Sequence, residues 1–214
     1  MLHIMTSPLV YARLQAEIDE AARTGKISSP VVQESEAKQL PYLQAVILEG
    51  LRTSPPSGGL LSKVVPPEGD TINGVFVPGG TEIASNTWSV VRDRETFGQE
   101  PEIFSPERWL NISKEQYDKM ARAVDLIFGY GKFKCLGRTV AMVELNKVFV
   151  EVSETENFDS KTNGSEIILI SFHQLLRNFD WTVVNPTKPW TAVCSGIILH
   201  RDFFVRVTER KVSS

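Results

Sequence analysis

The residue whose type and setting most clearly could do chemistry is Cys135. It lies in Phe128-Gly129-Tyr130-Gly131-Lys132-Phe133-Lys134-Cys135-Leu136-Gly137, a glycine-rich loop that leads into a helical run from about Arg138. A sulfur that binds a metal must be deprotonated, and a free cysteine has a pKa of ~8.5. A cysteine just ahead of a helix meets the positive end of the helix dipole, which favours the anion. Glycines such as Gly131 and Gly137 let the loop adopt positive φ and turn backbone N–H groups toward the sulfur. Such hydrogen bonds tune the reduction potential of a thiolate-bound iron. Phe128 is placed to pack beside the site and keep water out. Taken alone, the loop is equally compatible with a buried free cysteine ahead of a helix.

Two further groups stand out. Glu49 and Arg52 are three apart and share one helix face, where an exposed pair contributes only ~0.2–0.5 kcal/mol. Phe104-Ser105-Pro106-Glu107-Arg108-Trp109 is a proline-punctuated meander that carries an arginine. Singly, each reads as ordinary surface structure. Their order is more informative. An ExxR pair, then PERW, then FxxGxxxCxG ahead of a helix resembles the ordered signature of the cytochrome P450 family. The segments FGYGKFKCLGR, FSPERWL and NPTKPW are especially similar to fungal microsomal members.

The resemblance implies a mixed fold, mainly α with small antiparallel β-sheets. It would be the incomplete C-terminal portion of the cytochrome P450 fold, with residues 1–214 forming one partial domain. It implies a heme-dependent monooxygenase that inserts one atom of dioxygen into an apolar small molecule, using electrons from a flavoprotein reductase. The alternative is a non-catalytic heme-binding remnant or pseudogene product. Cys135 would be the proximal ligand of the heme iron. Phe128, Gly131, Gly137 and Ala141 would shape and line the heme loop. Lys63 falls where the family often sets a basic residue against a heme propionate; a solvated strand lysine is the plain alternative. Glu49 and Arg52 would join Arg108 in a buried ion-pair network that locks the meander beneath the heme loop. Ser57 to Leu61 and Ser195 to Ile198 would face the substrate. Lys132, Lys134, Arg138 and Lys147 would present a basic face to the acidic reductase, or simply a solvated one.

The chain also departs from the family pattern. Phe133 stands where the loop commonly has a basic residue, so Lys132 or Lys134 would have to substitute for it. No acid/alcohol pair for dioxygen activation precedes Pro8, so no catalytic residue is expected within the chain. Membrane contact, at the cytosolic face of the endoplasmic reticulum, is expected only through the missing N-terminal part. Residues 152–174 interrupt a helix. When they are removed, Leu145, Phe149, Leu176 and Phe179 continue one apolar stripe at helical spacing. The segment opens on Val-Ser and closes on Gln, as translated splice-donor and splice-acceptor sequence would. It is read as a retained intron, with a surface loop as the alternative; a loop of that length inside a helix is unusual.

The elements that must position these groups can be read from periodicity and breakers. Ser7-Pro8 starts a helix, with Ser7 as cap, that ends near Gly25. Residues 26–35 read as loop. A second helix runs from Leu40-Pro41 to Pro55-Pro56. Leu60 to Val65 is an expected strand. Asn73-Gly74 joins a hairpin, and Thr81 to Ser85 is another strand. Residues 87–92 read as a short helix and 113–124 as a weakly patterned one. A further helix is expected from Arg138 to Glu151, then strands at Trp181 to Val184, Ile197 to Leu199 and Phe203 to Val207.

The bulk numbers fit this reading. The 214 residues are 42% apolar and 23% charged, as in a soluble globular protein. A net charge of −3 argues against general affinity for nucleic acid. No run approaches the ~20 apolar residues of a membrane span. Two distant cysteines and three scattered histidines give neither a disulfide scaffold nor a zinc pattern.

Overall fold

The computed structural model describes residues 1–28, 32–58, 62–148, 176 and 179–210. A short helix, α1 (Leu2–Met5), precedes α2 (Pro8–Arg23). Pro8 takes the first helical position of α2, where its missing N–H costs nothing. Ser7 is the capping residue by position, but its side chain makes no capping hydrogen bond; the sequence reading had assigned it that role. Val10, Leu14, Ile18 and Ala21 form the buried stripe of α2. The helix stops at Gly25, which has φ +68°, with Lys26 N–H donating to Ala21 O at 2.9 Å. That closure satisfies carbonyls that a helix end leaves open.

A short helix, α3 (Glu34–Ala37), lies at the end of a region read as loop. One turn is too short to show a period. Glu36 fixes its entry, accepting from the backbone N–H groups of Gln33 at 2.9 Å and Ser28 at 3.0 Å. The second long helix, α4 (Pro41–Thr53), again has proline in its first turn. The carboxylate of Glu17, on α2, accepts from Tyr42 N–H and Leu43 N–H, each at 2.8 Å. These are N-terminal donors for which the helix itself has no acceptor.

The middle of the chain forms two small antiparallel pairs. Strand β1 (Lys63–Val64) pairs with β4 (Glu82–Ile83), and β2 (Asp70–Ile72) with β3 (Val75–Val77). Asn73 and Gly74 both have positive φ, +50° and +81°, the geometry expected of an Asn-Gly hairpin turn. Helices α5 (Thr87–Val90) and α6 (Arg94–Phe97) follow, capped by the side chains of Asn86 and Asp93. The meander then passes through a 3-10 turn at Pro106–Trp109. Helix α7 (Lys114–Asp125) starts where Ser113 accepts from Gln116 N–H at 3.2 Å. Helix α8 (Arg138–Val148) follows the cysteine loop.

The C-terminal strands are β5 (Phe179–Val183), β6 (Thr191–Ser195), β7 (Ile197–Arg201) and β8 (Val205–Glu209). β5 pairs with β8, and β6 with β7 across a turn at Gly196. The sequence reading missed β6. The architecture is therefore mixed helix with small antiparallel sheets, as the family resemblance implied.

Two apolar cores meet at α4. One face of α4 packs with α2 and α8 around Leu14, Ile18, Leu43 and Ile47. The other contributes Ala45 to a cluster with Val91, Phe97, Trp109, Met120, Val124 and Ile127. Residues 152–174, read as an insert, lie outside the described residues, as does Phe149. Leu176 is buried in the first core, where Met142, Leu145 and Val148 of α8 also pack. Phe179 does not extend that helix; it opens β5, opposite Glu209 of β8.

Candidate functional site

The loop that carries Cys135 is held by a few backbone hydrogen bonds. A 3-10 turn at Leu126–Phe128 leads in from α7, and Gly129 N–H donates to Leu126 O at 2.9 Å. Cys135 N–H donates to Phe128 O at 2.7 Å, which closes the loop across its neck. Arg138 N–H donates to Cys135 O at 3.3 Å, so the cysteine sits directly ahead of the first turn of α8. Gly129 is the glycine this geometry most requires. Its φ is +78°, and a Cβ there would stand 2.6 Å from Phe133 O. Gly131 is also left-handed, at +56°, with open space around it. Gly137 is less constrained, because a Cβ there would lie 3.8 Å from Cys135 Sγ, an ordinary contact. The sequence reading chose Gly131 and Gly137 and passed over Gly129, since a pattern of glycines does not show which one has a carbonyl against it.

Cys135 is an exposed free thiol. Leu136 beside it is 100% exposed, and Tyr130, Phe133 and Val140 are largely so. All four lie within five residues of Cys135 in the chain, and exposed apolar side chains that form one patch commonly mark binding surfaces. Phe128 is half-buried against the second core, with the Arg138 guanidinium 5.7 Å from its ring centroid. Ala141 N–H donates to Gly137 O at 2.9 Å within the first turn of α8. Lys63 reaches across from β1, its Nζ 4.6 Å from the centroid of Phe133; Lys132 Nζ lies 5.1 Å from the same ring. Phe133 therefore occupies the position of a basic residue while two lysines gather on its ring.

The basic residues of the loop are not uniformly free. Asp125, which the sequence reading did not single out, accepts from Lys134 at 3.0 Å and from Arg138 Nε. Partial burial alone would raise the Asp125 pKa. The hydrogen bonds from Lys134 and Arg138 outweigh it and hold the carboxyl below its usual range. Lys147 is half-buried on α8.

The two segments expected to face a substrate meet. Ser57 forms a β-bridge with Ile197, its hydroxyl donates to Gly196 O at 3.1 Å, and Ile198 N–H donates to Pro56 O at 2.9 Å. Gly58 is packed so closely that a Cβ would stand 2.9 Å from Trp88 Nε1. Residues 59–61 lie outside the described residues.

Elsewhere on α4 is a buried polar knot. Glu49 and Arg52, both on α4, are 0% exposed. Arg52 donates through Nε to Glu49 Oε2 at 2.8 Å and through Nη2 to Oε1 at 2.7 Å. Its remaining donors go to the carbonyls of Val91 at 3.0 Å, Ile103 at 3.0 Å and Pro101. Glu49 also accepts from Ser105 N–H and Trp109 Nε1–H, each at 2.9 Å, and from Arg108 Nε at 3.4 Å. Arg108 reaches further, to Phe97 O, Glu100 O and Ile103 O. The meander from Phe97 to Trp109 is thus stitched to α4 by the side chains of Glu49, Arg52, Arg108 and Trp109. Burial would raise the Glu49 pKa, but the Arg52 hydrogen bonds and charge, with those from Ser105 and Trp109, hold it below the usual carboxylate range.

Among the described residues, no three His, Cys, Asp or Glu side chains gather as a metal cage. What the loop offers is one soft sulfur, flanked by exposed apolar side chains, with lysines at one edge. A single soft sulfur suits a metal whose other ligands are not protein side chains.

A family model described as Cytochrome P450 matches residues 1–170. The chain is 41% identical over 209 residues to the cytochrome P450 monooxygenase aba1 of Botryotinia fuckeliana, covering 98% of this chain and 36% of that protein. It is 38% identical over 210 residues to the cytochrome P450 monooxygenase ABA1 of Pyricularia oryzae, covering 98% and 36%. It is 41% identical over 189 residues to the cytochrome P450 monooxygenase abl1 of Leptosphaeria maculans, covering 88% and 30%. The chain belongs to the cytochrome P450 family. It spans between 30% and 36% of the length of these relatives. Among the described residues, no helix is long and apolar enough to cross a membrane.

Proposed function

We propose that this chain supplies the proximal, heme-thiolate part of a monooxygenase. In this reading the full protein inserts one atom of dioxygen into an apolar small molecule. The observation that carries it is the exposed Cys135 thiol, pinned at the head of α8 by the Cys135 N–H to Phe128 O bond and ringed by uncovered apolar side chains. Heme bound there would supply oxygen activation, with the thiolate donating electron density to the iron. Cys135 holds the iron. Phe128 packs behind the loop and limits water. Gly129 and Gly131 set the backbone path, and Ala141 leaves room on the first turn of α8. Lys63 and Lys132 offer positive charge to the propionates, in place of the basic residue absent at Phe133. Ser57 and Ile197 to Ile198 border the substrate. Lys132 and the neighbouring cations steer an acidic flavoprotein reductase, which speeds encounter more than it tightens binding. The full-length protein is placed at the cytosolic face of the endoplasmic reticulum. Residues 152–174 are proposed to be a retained intron, and sequencing full-length transcripts for a Glu151–Leu175 junction tests that.

Titrating the purified chain with hemin tests the cofactor reading. The parent should give a low-spin Soret band, and carbon monoxide on the reduced form should give the red-shifted band of thiolate ligation. Cys135→Ser should lose that band. A parent and a Cys135→Ser variant with the same spectrum would overturn the reading. Heme binding by the full-length protein without substrate oxidation would favour the non-catalytic remnant.

A further inference from the structure

We propose that Asp125 is a positioning residue for Cys135, a carboxylate clamp that grips the cysteine loop on both sides of the sulfur. The proposal rests on the heme-thiolate reading for its purpose, but its geometry stands independently.

Asp125 is the last residue of α7, and the chain passes from it directly into the 3-10 turn Leu126–Phe128. This four-residue stretch does two jobs. Its final carbonyl, Phe128 O, takes the Cys135 N–H at 2.7 Å. Its first side chain, Asp125, takes Lys134 Nζ at 3.0 Å through Oδ2 and Arg138 Nε through Oδ1. Lys134 immediately precedes Cys135, and Arg138 is three residues beyond it, in the first turn of α8. One carboxylate therefore fixes the approach to the cysteine and the departure from it, while the backbone bond fixes the cysteine itself. Arg138 is also braced over the Phe128 ring, which orients its guanidinium toward Asp125. Without the clamp, the distance from the end of α7 to the start of α8 would depend on the loop's few backbone bonds alone.

The clamp has an electrical consequence as well. Lys134 and Arg138 are two of the four cations nearest the sulfur in sequence, and Asp125 offsets one of their two charges. It is also an anion paired to residues on both sides of the proposed iron ligand in the chain. Removing it should favour the reduced state, which carries one more negative charge.

Hydrogen exchange on the full chain without heme tests the clamp directly. Exposed and half-exposed ion pairs each contribute only modestly to stability. Loss of both arms in Asp125→Asn should therefore speed exchange of the Phe133, Lys134, Cys135 and Arg138 amides by about five-fold, with α4 amides unchanged. Asp125→Glu, which keeps the charge, should recover most of the protection. Exchange in the loop of Asp125→Asn equal to the parent's would overturn the proposal, as would equal losses in Asn and Glu. If Asp125→Asn loosens the whole fold, Lys134→Gln decides, since it cuts one arm from the exposed side. Local acceleration of about two-fold supports the clamp, and none overturns it. In the heme-loaded chain, Asp125→Asn should also shift the reduction potential upward, which a role in stability alone would not do. A parent that binds no heme removes the heme-thiolate reading but leaves the exchange result to judge the clamp.

Discussion

The two polar centres of this molecule are built on opposite plans. Around Glu49 and Arg52, donors and acceptors are matched inside the protein, and both side chains are sealed from water. Around Cys135, the sulfur and its apolar neighbours face outward, and the loop is held by backbone bonds at its neck, the Asp125 pairs at its flanks and the packing of Phe128. The first centre is complete within this chain. The second is complete only when something covers it. On the proposed reading, the knot stores stability and the loop keeps reactivity available, with the two tasks on separate residues.

The contrast is most strongly tested by breaking the knot. Arg52→Ala leaves Glu49 buried with its bidentate partner gone, and such losses cost about 3–5 kcal/mol. Denaturant unfolding of the parent and variant measures it. Arg52→Lys should recover little of the loss, because an ammonium cannot reproduce the guanidinium fork that spans Glu49, Val91 and Ile103. A cost below about 1 kcal/mol would mean that the meander is held by apolar packing, and the comparison would collapse.

Acid should separate the same two centres. The folded-state pKa of Glu49 is lowered, while an unfolded glutamate titrates near ~4.3. The stability from Glu49 is therefore fully present above that unfolded value and is lost as pH falls through the lower folded one. Unfolding followed by intrinsic tryptophan fluorescence, to which Trp109 contributes through an indole that donates to Glu49, should report this loss below about pH 4. In Glu49→Gln that acid-dependent component should be missing.

A smaller effect is expected within the loop. Gly129→Ala meets both a left-handed φ and the Phe133 carbonyl at 2.6 Å, and should cost about 1–2 kcal/mol through local strain. Gly137→Ala should cost less, because its Cβ has room. Thermal unfolding of the pair ranks them. The reverse order would show that the loop is shaped from its α8 end rather than its α7 end.

The long helices and the Asn-Gly hairpin were legible because each has a local cause: proline at a first turn, a four-residue apolar period, positive φ at Asn-Gly. So was the juxtaposition of Glu49 with Arg52, which helix geometry alone provides. The three motifs were legible only through their ordered resemblance to a known family. What could not be read locally depends on contacts far apart in the chain. Glu17 serves as an acceptor for the start of α4, Lys63 crosses to Phe133, and Asp125 reaches both flanks of Cys135. Strand β6 was missed because Thr191 to Ser195 has a cysteine and small residues where a strand pattern expects bulk, and its pairing with β7 supplies the order instead. In the chain that retains residues 152–174, Phe179 stands in the ladder with β8, opposite Glu209.

The smallest expected effect is at the chemically central residue. Cys135→Ser changes one exposed atom, so unfolding of the heme-free chain should differ from the parent by no more than about 0.5 kcal/mol. The sulfur contributes no buried contact whose loss would register. The loop's closure runs through the Cys135 backbone N–H, which serine retains. If the knot stores stability and the loop stores reactivity, this substitution and Arg52→Ala should behave as opposites. Arg52→Ala should be severe in the denaturation curve with or without heme; Cys135→Ser should be silent there and visible only in the spectrum of the heme-loaded protein. A heme-free Cys135→Ser chain that unfolds as readily as Arg52→Ala would place the sulfur in the core's energetics and erase the distinction between the two centres.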